Sequence, residues 1–128
     1  MNIDSLPVIA YVGLNPSSES LAALLDSWRV VPMAYGAGYV KRLVTLAPVL
    51  IVVSMDASFK PAAIYTPKVN PAARRIPILA LAHDNAGQVA AGQMGADAAL
   101  MLDELAGQLA TQVESLAHRF DAAARALL

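Results

Sequence analysis

Short apolar runs recur along the chain, and stretches with helical spacing lie between them. Val8 to Val12 is apolar, rich in β-branched residues, and bounded by Pro7 and by Gly13-Leu14-Asn15-Pro16, which predicts a buried strand followed by a turn. Ser17 or Ser18 offers an N-cap, and Glu19 suits the positive end of the helix dipole. Leu21, Leu24, Leu25 and Trp28 share one helical face, so a helix of about three turns is expected. Val30 and Val31 begin a second strand running toward Ala34. Gly36 and Gly38 then mark a turn, and Tyr39, Leu43 and Leu46 space a short second helix. Pro48 precedes the strongest strand signal, Val49-Leu50-Ile51-Val52-Val53. That run is continuous, not alternating, so both its faces are covered, as in the central strand of a parallel sheet.

The stretch from Ser54 to Pro71 is the least regular. Pro61, Pro67 and Pro71 interrupt it, and a proline inside a helix costs about 3 kcal/mol or more. Any helix there is expected to be short, kinked or begun near a proline. Ile76 to Leu81 reads as a fourth strand and His83-Asp84-Asn85 as a turn with capping residues. Val89 to Met94 belong to a fourth helix ending at Gly95. Ala98 to Leu102 form a weaker fifth strand. Leu105, Leu109, Val113, Leu116, Phe120 and Leu127 then keep helical spacing through the last segment, 105–128. Five strand–helix alternations, with no linker, repeat or low-complexity segment, predict a single α/β domain over residues 1–128. The expected architecture is flavodoxin-like: a doubly wound five-stranded parallel sheet, order 2-1-3-4-5, with helices on both faces.

Composition agrees with a sheet covered on both sides, since 57% of the 128 residues are hydrophobic and 15% charged. The net charge of -1, with no block of like charge, leaves no basic footprint for nucleic acid. Cysteine is absent, which excludes disulfides, thiolate catalysis and cysteine-ligated metals. Two histidines, His83 and His118, do not make a histidine-rich metal site, and no metal or cofactor is expected. The longest apolar run, Leu46 to Met55, falls short of the roughly 20 residues a membrane-spanning helix needs. Met1 to Pro7 carries Asp4 and no positive segment, so a cytoplasmic location is expected over secretion. A long terminal helix commonly leads into another domain, and the reading leaves open whether the chain is complete.

Three local patterns narrow the architecture to one family. Pro48 with Leu50-Ile51-Val52-Val53 looks like a strand leading to a phosphoacceptor. Asn70-Pro71-Ala72-Ala73-Arg74-Arg75-Ile76-Pro77-Ile78-Leu79-Ala80-Leu81 and Gly95-Ala96-Asp97 look like the approaches to the fourth and fifth strands. Together they resemble the response-regulator receiver (CheY-like) family, from the first strand to about Leu116. The resemblance implies a pocket at the carboxyl ends of the strands. Such a pocket holds an acidic pair for magnesium, an aspartate that accepts phosphate, a threonine or serine, and a lysine that neutralises the phosphoryl charge. This chain departs at every position. Gly13 and Leu14, with Asn15 next, stand for the acidic pair; Ser54 stands for the phosphoacceptor, Ala82 for the hydroxyl residue and Leu102 for the lysine.

Other residues near that edge carry chemistry by type. Asp56, two positions past Ser54, is a substitute acceptor lacking activating partners, or simply a turn aspartate. His83 and Asp84 follow the fourth strand and either polarise a ligand or cap the next helix. Ser54, His83 and Asp56 have the residue types of a hydrolytic triad, but no nucleophile elbow or oxyanion hole is evident. The expectation is therefore a degenerate pocket of Gly13, Leu14, Asn15, Ser54, Asp56, Ala82, His83, Asp84 and Leu102, with no catalytic residue. Function is expected to lie in binding a protein partner, most simply as a homodimer through Leu116, Phe120 and Leu127 of the long helix. Two alternatives stay open: a small-molecule crevice between Gly13–Pro16, Ser54–Asp56 and Ala82–Asn85, and a receiver phosphorylated atypically at Asp56.

Overall fold

The computed structural model describes the backbone of residues 6–126 and the side chains of residues 6–119. Five strands, β1 (Val8–Val12), β2 (Arg29–Pro32), β3 (Leu50–Ser54), β4 (Ile78–Ala82) and β5 (Ala98–Met101), form one sheet of order β2-β1-β3-β4-β5. Every neighbouring pair is parallel. Between and after them run α1 (Ser18–Leu24), α2 (Tyr39–Leu46), α3 (Ala62–Val69), α4 (Asn85–Met94) and α5 (Leu105–Ala126). This is the flavodoxin-like order expected from the alternation of elements.

The continuous apolar runs are explained by two cores on opposite faces. Ala10, Val12, Ile51, Val53, Ile78 and Ala80 point to one face, where Tyr39 and Leu43 of α2, Ala63 and Ile64 of α3 and Ala91 of α4 cover them. Ile9, Tyr11, Leu50, Val52, Leu79 and Leu81 point to the other, beneath Leu21 and Leu25 and beneath Leu109, Val113 and Leu116 of α5. Alternate side chains along a strand take opposite faces, so a strand covered twice must be apolar at every position. Each large side chain buried this way stabilises the fold by about 1.5–3 kcal/mol.

Several boundaries differ from the periodicity. The first helix stops at Leu24, one turn before Trp28, because tight turns from Leu25 to Ala22 and from Trp28 to Leu25 bring Arg29 to its bond with Pro7. Leu24 is consequently exposed, while Leu21 and Leu25 carry the buried face. The second strand ends at Pro32 and not near Ala34. Strand β4 begins at Ile78, two residues late, and α4 begins at Asn85, capped by Asp84 as the turn residues suggested. Strand β5 gives way to a 3-10 turn at Leu102–Glu104, where the Glu104 carboxylate accepts from the Met101 N–H at 2.9 Å. The proline-rich stretch does contain a helix, α3, which starts beside Pro61 and takes Pro67 into its last turn.

At the amino-terminal edge of the sheet, Asp97 ties three segments together. Its Oδ2 accepts from the Ile78 N–H at 2.8 Å and from Lys68 Nζ at 2.6 Å, and that ammonium also reaches the Ile76 carbonyl at 3.1 Å. Gly95 closes α4 with φ 108, a left-handed conformation that glycine adopts without the Cβ penalty.

Candidate functional site

The carboxyl ends of β1, β3 and β4 converge, as the register places Val12 beside Val53 and Ser54 beside Leu81. Backbone approach there is close. A Cβ built on Gly13 would lie 2.7 Å from the Ser54 Cβ, and Gly13 has φ +155. Glycine is therefore a steric requirement where the receiver resemblance called for an acidic residue.

Ser54 is almost fully buried, at 1% exposure, and donates its hydroxyl hydrogen to the Asn15 carbonyl at 2.5 Å. Its Oγ also lies 3.2 Å from His83 Nε2. A hydroxyl carries one hydrogen, so with that hydrogen given to Asn15 the imidazole Nε2 must be the donor in the second bond. His83 in this arrangement cannot act as a base toward Ser54.

Asp56 is held by the loop that follows β1. One carboxylate oxygen accepts from the Leu14 and Asn15 N–H groups at 2.8 and 3.0 Å, and the other accepts from the Ser58 N–H at 2.8 Å and from the Ser58 hydroxyl. Partial burial alone would raise this carboxyl, but the Ser58 hydroxyl and the Asn15, Leu14 and Ser58 amides outweigh it and hold the group down at about 2. With its oxygens bonded to those four groups, Asp56 is not oriented toward His83, and the triad suggested by residue types is not assembled.

Tyr11 belongs to this cluster although it was not among the residues expected there. Its phenol leaves the α1–α5 core and donates to the Pro16 carbonyl across the same loop. Burial pushes the phenol up to about 12, and the nearby Asp56 charge adds to the rise. The Asn15–Pro16 peptide bond is cis. A tyrosine near the end of an apolar strand, next to an Asn-Pro turn, is the signal that would have pointed here.

The other expected pocket residues are placed as follows. Asp84 caps α4, accepting from the Gly87 N–H at 2.7 Å, and does not join Asp56. Ala82 is buried at the end of β4. Leu102 packs against the core beneath α1 and α5 instead of lining the strand ends. Among the described residues, no three His, Asp or Glu side chains gather closely enough to hold a metal ion. Leu116, expected at an interface, is 1% exposed and packs with Leu109 and Val113 inside the domain. The face of α5 that carries Leu116 covers the sheet, so the apolar spacing there is spent internally. The Phe120 side chain and Leu127 lie outside the described residues.

The expected crevice is met in part. Gly13, Leu14 and Ser54 line a cleft of about 500 Å³ between the ends of β2, β1 and β3 and the entry to α3, whereas Ala82–Asn85 take no part in it and His83 is tied to Ser54. Pro32, Met33, Ala34 and Tyr35, together with Phe59 and Lys60, form much of its wall, and none was selected from the sequence. Apolar residues stranded in two loops at the carboxyl edge were the available clue.

No protein-family model matches the chain, and no curated relative matches it. Solved structures do match. The signal receiver domain of a histidine kinase from Syntrophus aciditrophicus superposes with a TM-score of 0.73 at 24% identity, over 88% of this chain and 90% of that one. A response regulator receiver modulated diguanylate cyclase from Pelobacter carbinolicus gives 0.73 at 18% identity, over 94% and 99%. A response regulator from Desulfuromonas acetoxidans gives 0.69 at 15%, over 87% and 95%. The fold is the receiver fold. At these identities the likeness establishes architecture, and the chemistry of the strand ends has to be argued from the residues present.

Proposed function

We propose that this chain is a receiver-fold signalling module that takes no phosphoryl group and acts by binding another protein, in a two-component-type pathway in the cytoplasm. One observation carries the reading. At the acceptor position stands a buried serine whose hydroxyl is committed to the Asn15 carbonyl, beside a glycine that leaves no room for an acidic side chain. Acceptor and metal-binding carboxylate are missing together, and Asp56, the nearest carboxylate, already serves four donors. A group held that far below the ordinary carboxylate range is a poor nucleophile.

The receiver architecture of signalling proteins such as the Pelobacter diguanylate cyclase and the Syntrophus histidine kinase supports the signalling part of this reading. A module without a phosphorylation switch presents one fixed surface. The face made by α4, β5 and α5 is the surface we assign to the partner, α4 carrying the exposed Val89, and a second copy of the chain is the simplest partner.

Incubation with a small acyl-phosphate donor and magnesium, followed by intact-mass spectrometry, tests the first part. The expected result is an unchanged mass. A stable phosphoryl adduct, at Asp56 or elsewhere, refutes it. Light scattering across a concentration series tests the second part: a dimer is expected, and a concentration-independent monomer would rule out self-association.

A further inference from the structure

The cleft at the ends of β2, β1 and β3 has the properties of a ligand site. Its volume of about 500 Å³ lies within the roughly 300–1,000 Å³ typical of small-molecule sites, which are mainly apolar with a few polar groups that set orientation. Val12, Val53 and Ala63 form a buried floor, and Met33 and Phe59 form partly buried walls. Leu14 sits on the lip. It is 77% exposed, and the bond from its own N–H to Asp56 fixes its backbone there. A large apolar side chain held in water at the mouth of an apolar cleft gains most by closing over something.

The polar groups narrow the occupant. The Ser54 hydroxyl is given to Asn15 and the Ser58 hydroxyl to Asp56. Tyr35 and Lys60 therefore remain to meet a ligand. No acidic side chain lines the cleft, and the ion pair found among the described residues is Lys68 with Asp97, at the opposite edge of the sheet. The ammonium at the rim is thus uncompensated where an apolar hollow begins. One cation suits one negative charge, and the walls suit a hydrocarbon body.

We infer that this cleft binds an amphipathic organic acid, with its apolar body on Val12, Met33, Val53 and Phe59, its carboxylate at Lys60, and Leu14 folded over it. The inference stands independently of phosphorylation, because none of its contacts uses an acceptor or a metal.

Decanoate, decanol and decyltrimethylammonium, each below its micelle-forming concentration, are titrated into the ¹⁵N-labelled full chain and followed by amide chemical shifts. Decanoate is expected to give saturable shifts at Gly13, Leu14, Met33, Ala34, Phe59 and Lys60, with decanol several-fold weaker and the cation weakest. Lys60→Glu is expected to weaken decanoate by roughly three- to tenfold and to leave decanol unchanged. Leu14→Ser should weaken both alike. Both side chains are exposed, so the fold is expected to survive, and unchanged thermal unfolding verifies this. If Lys60→Glu unfolds, Lys60→Gln takes its place, with a smaller loss in the same direction. The absence of saturable shifts overturns the site, as do shifts centred on another face. Equal affinity for decanoate and decanol, or a Lys60 variant that leaves that preference intact, overturns the choice of an acid.

Discussion

Replacing Asp56 tests whether the loop after β1 is held by a charged clasp. The carboxyl is lowered from an ordinary 3.8 to about 2, a difference that corresponds to about 2.4 kcal/mol if taken at face value. The group lies near solvent, and screening reduces the contribution to about 1–2 kcal/mol. Asp56→Asn keeps the size and one acceptor oxygen but places an amide donor against two N–H groups or against Ser58, so it is expected to cost about that amount. Asp56→Ala leaves the Leu14, Asn15 and Ser58 amides to water and is expected to cost about 2–3 kcal/mol. The folded-state pKa lies below the unfolded value of 3.8, so the stabilisation is fully present above about pH 5 and is lost as the pH falls toward about 2. Urea denaturation of the wild type and the alanine variant should therefore show a stability gap that is constant from neutral pH to about pH 5 and then narrows. A gap that persists undiminished to about pH 2, or an asparagine variant as stable as wild type at neutral pH, would refute the clasp.

Two further substitutions probe the surroundings. Gly13→Ala pushes a Cβ to within 2.7 Å of the Ser54 Cβ at a left-handed φ, and chemical denaturation is expected to show a loss of about 2 kcal/mol or more; a neutral result would mean the strand ends can separate freely. Leu116→Ala is expected to lower the stability of the domain by about 2–5 kcal/mol without altering its association state, as measured by denaturation and light scattering, because the side chain fills the core beneath α5.

Much of the architecture was legible because two-sided burial leaves a plain mark. Strand β1, and β3 up to Ser54, had to be apolar at every residue, and the capping groups at Ser17, Asp84 and Gly95 punctuated the helices. Element ends were less legible. Whether Leu24 and Trp28 continue a helix depends on where the chain must turn to meet Pro7, which is a tertiary demand with no local signature. The same holds for Leu116: helical spacing announces an apolar stripe but not which surface will cover it. At the candidate site the sequence placed Gly13, Ser54, Ala82 and Leu102 where the resemblance implies reactive groups. It could not show what those residues and their neighbours contact. The pairing of Asp56 with Leu14 and Asn15 joins residues more than forty positions apart, and the cleft is made by the loops that follow three different strands, β1, β2 and β3.

The Asp97 knot has a consequence for how such chains are recognised. Asp97 itself and its partner amide at Ile78 lie at the end of the sheet remote from Ser54, within two of the segments whose wording gave the family likeness, and Lys68 joins them there from α3. Signature and reactivity are thus wired to opposite poles. A chain can keep every bolt at one pole, and be identified by it, while the side chains at the other pole are exchanged for a different purpose.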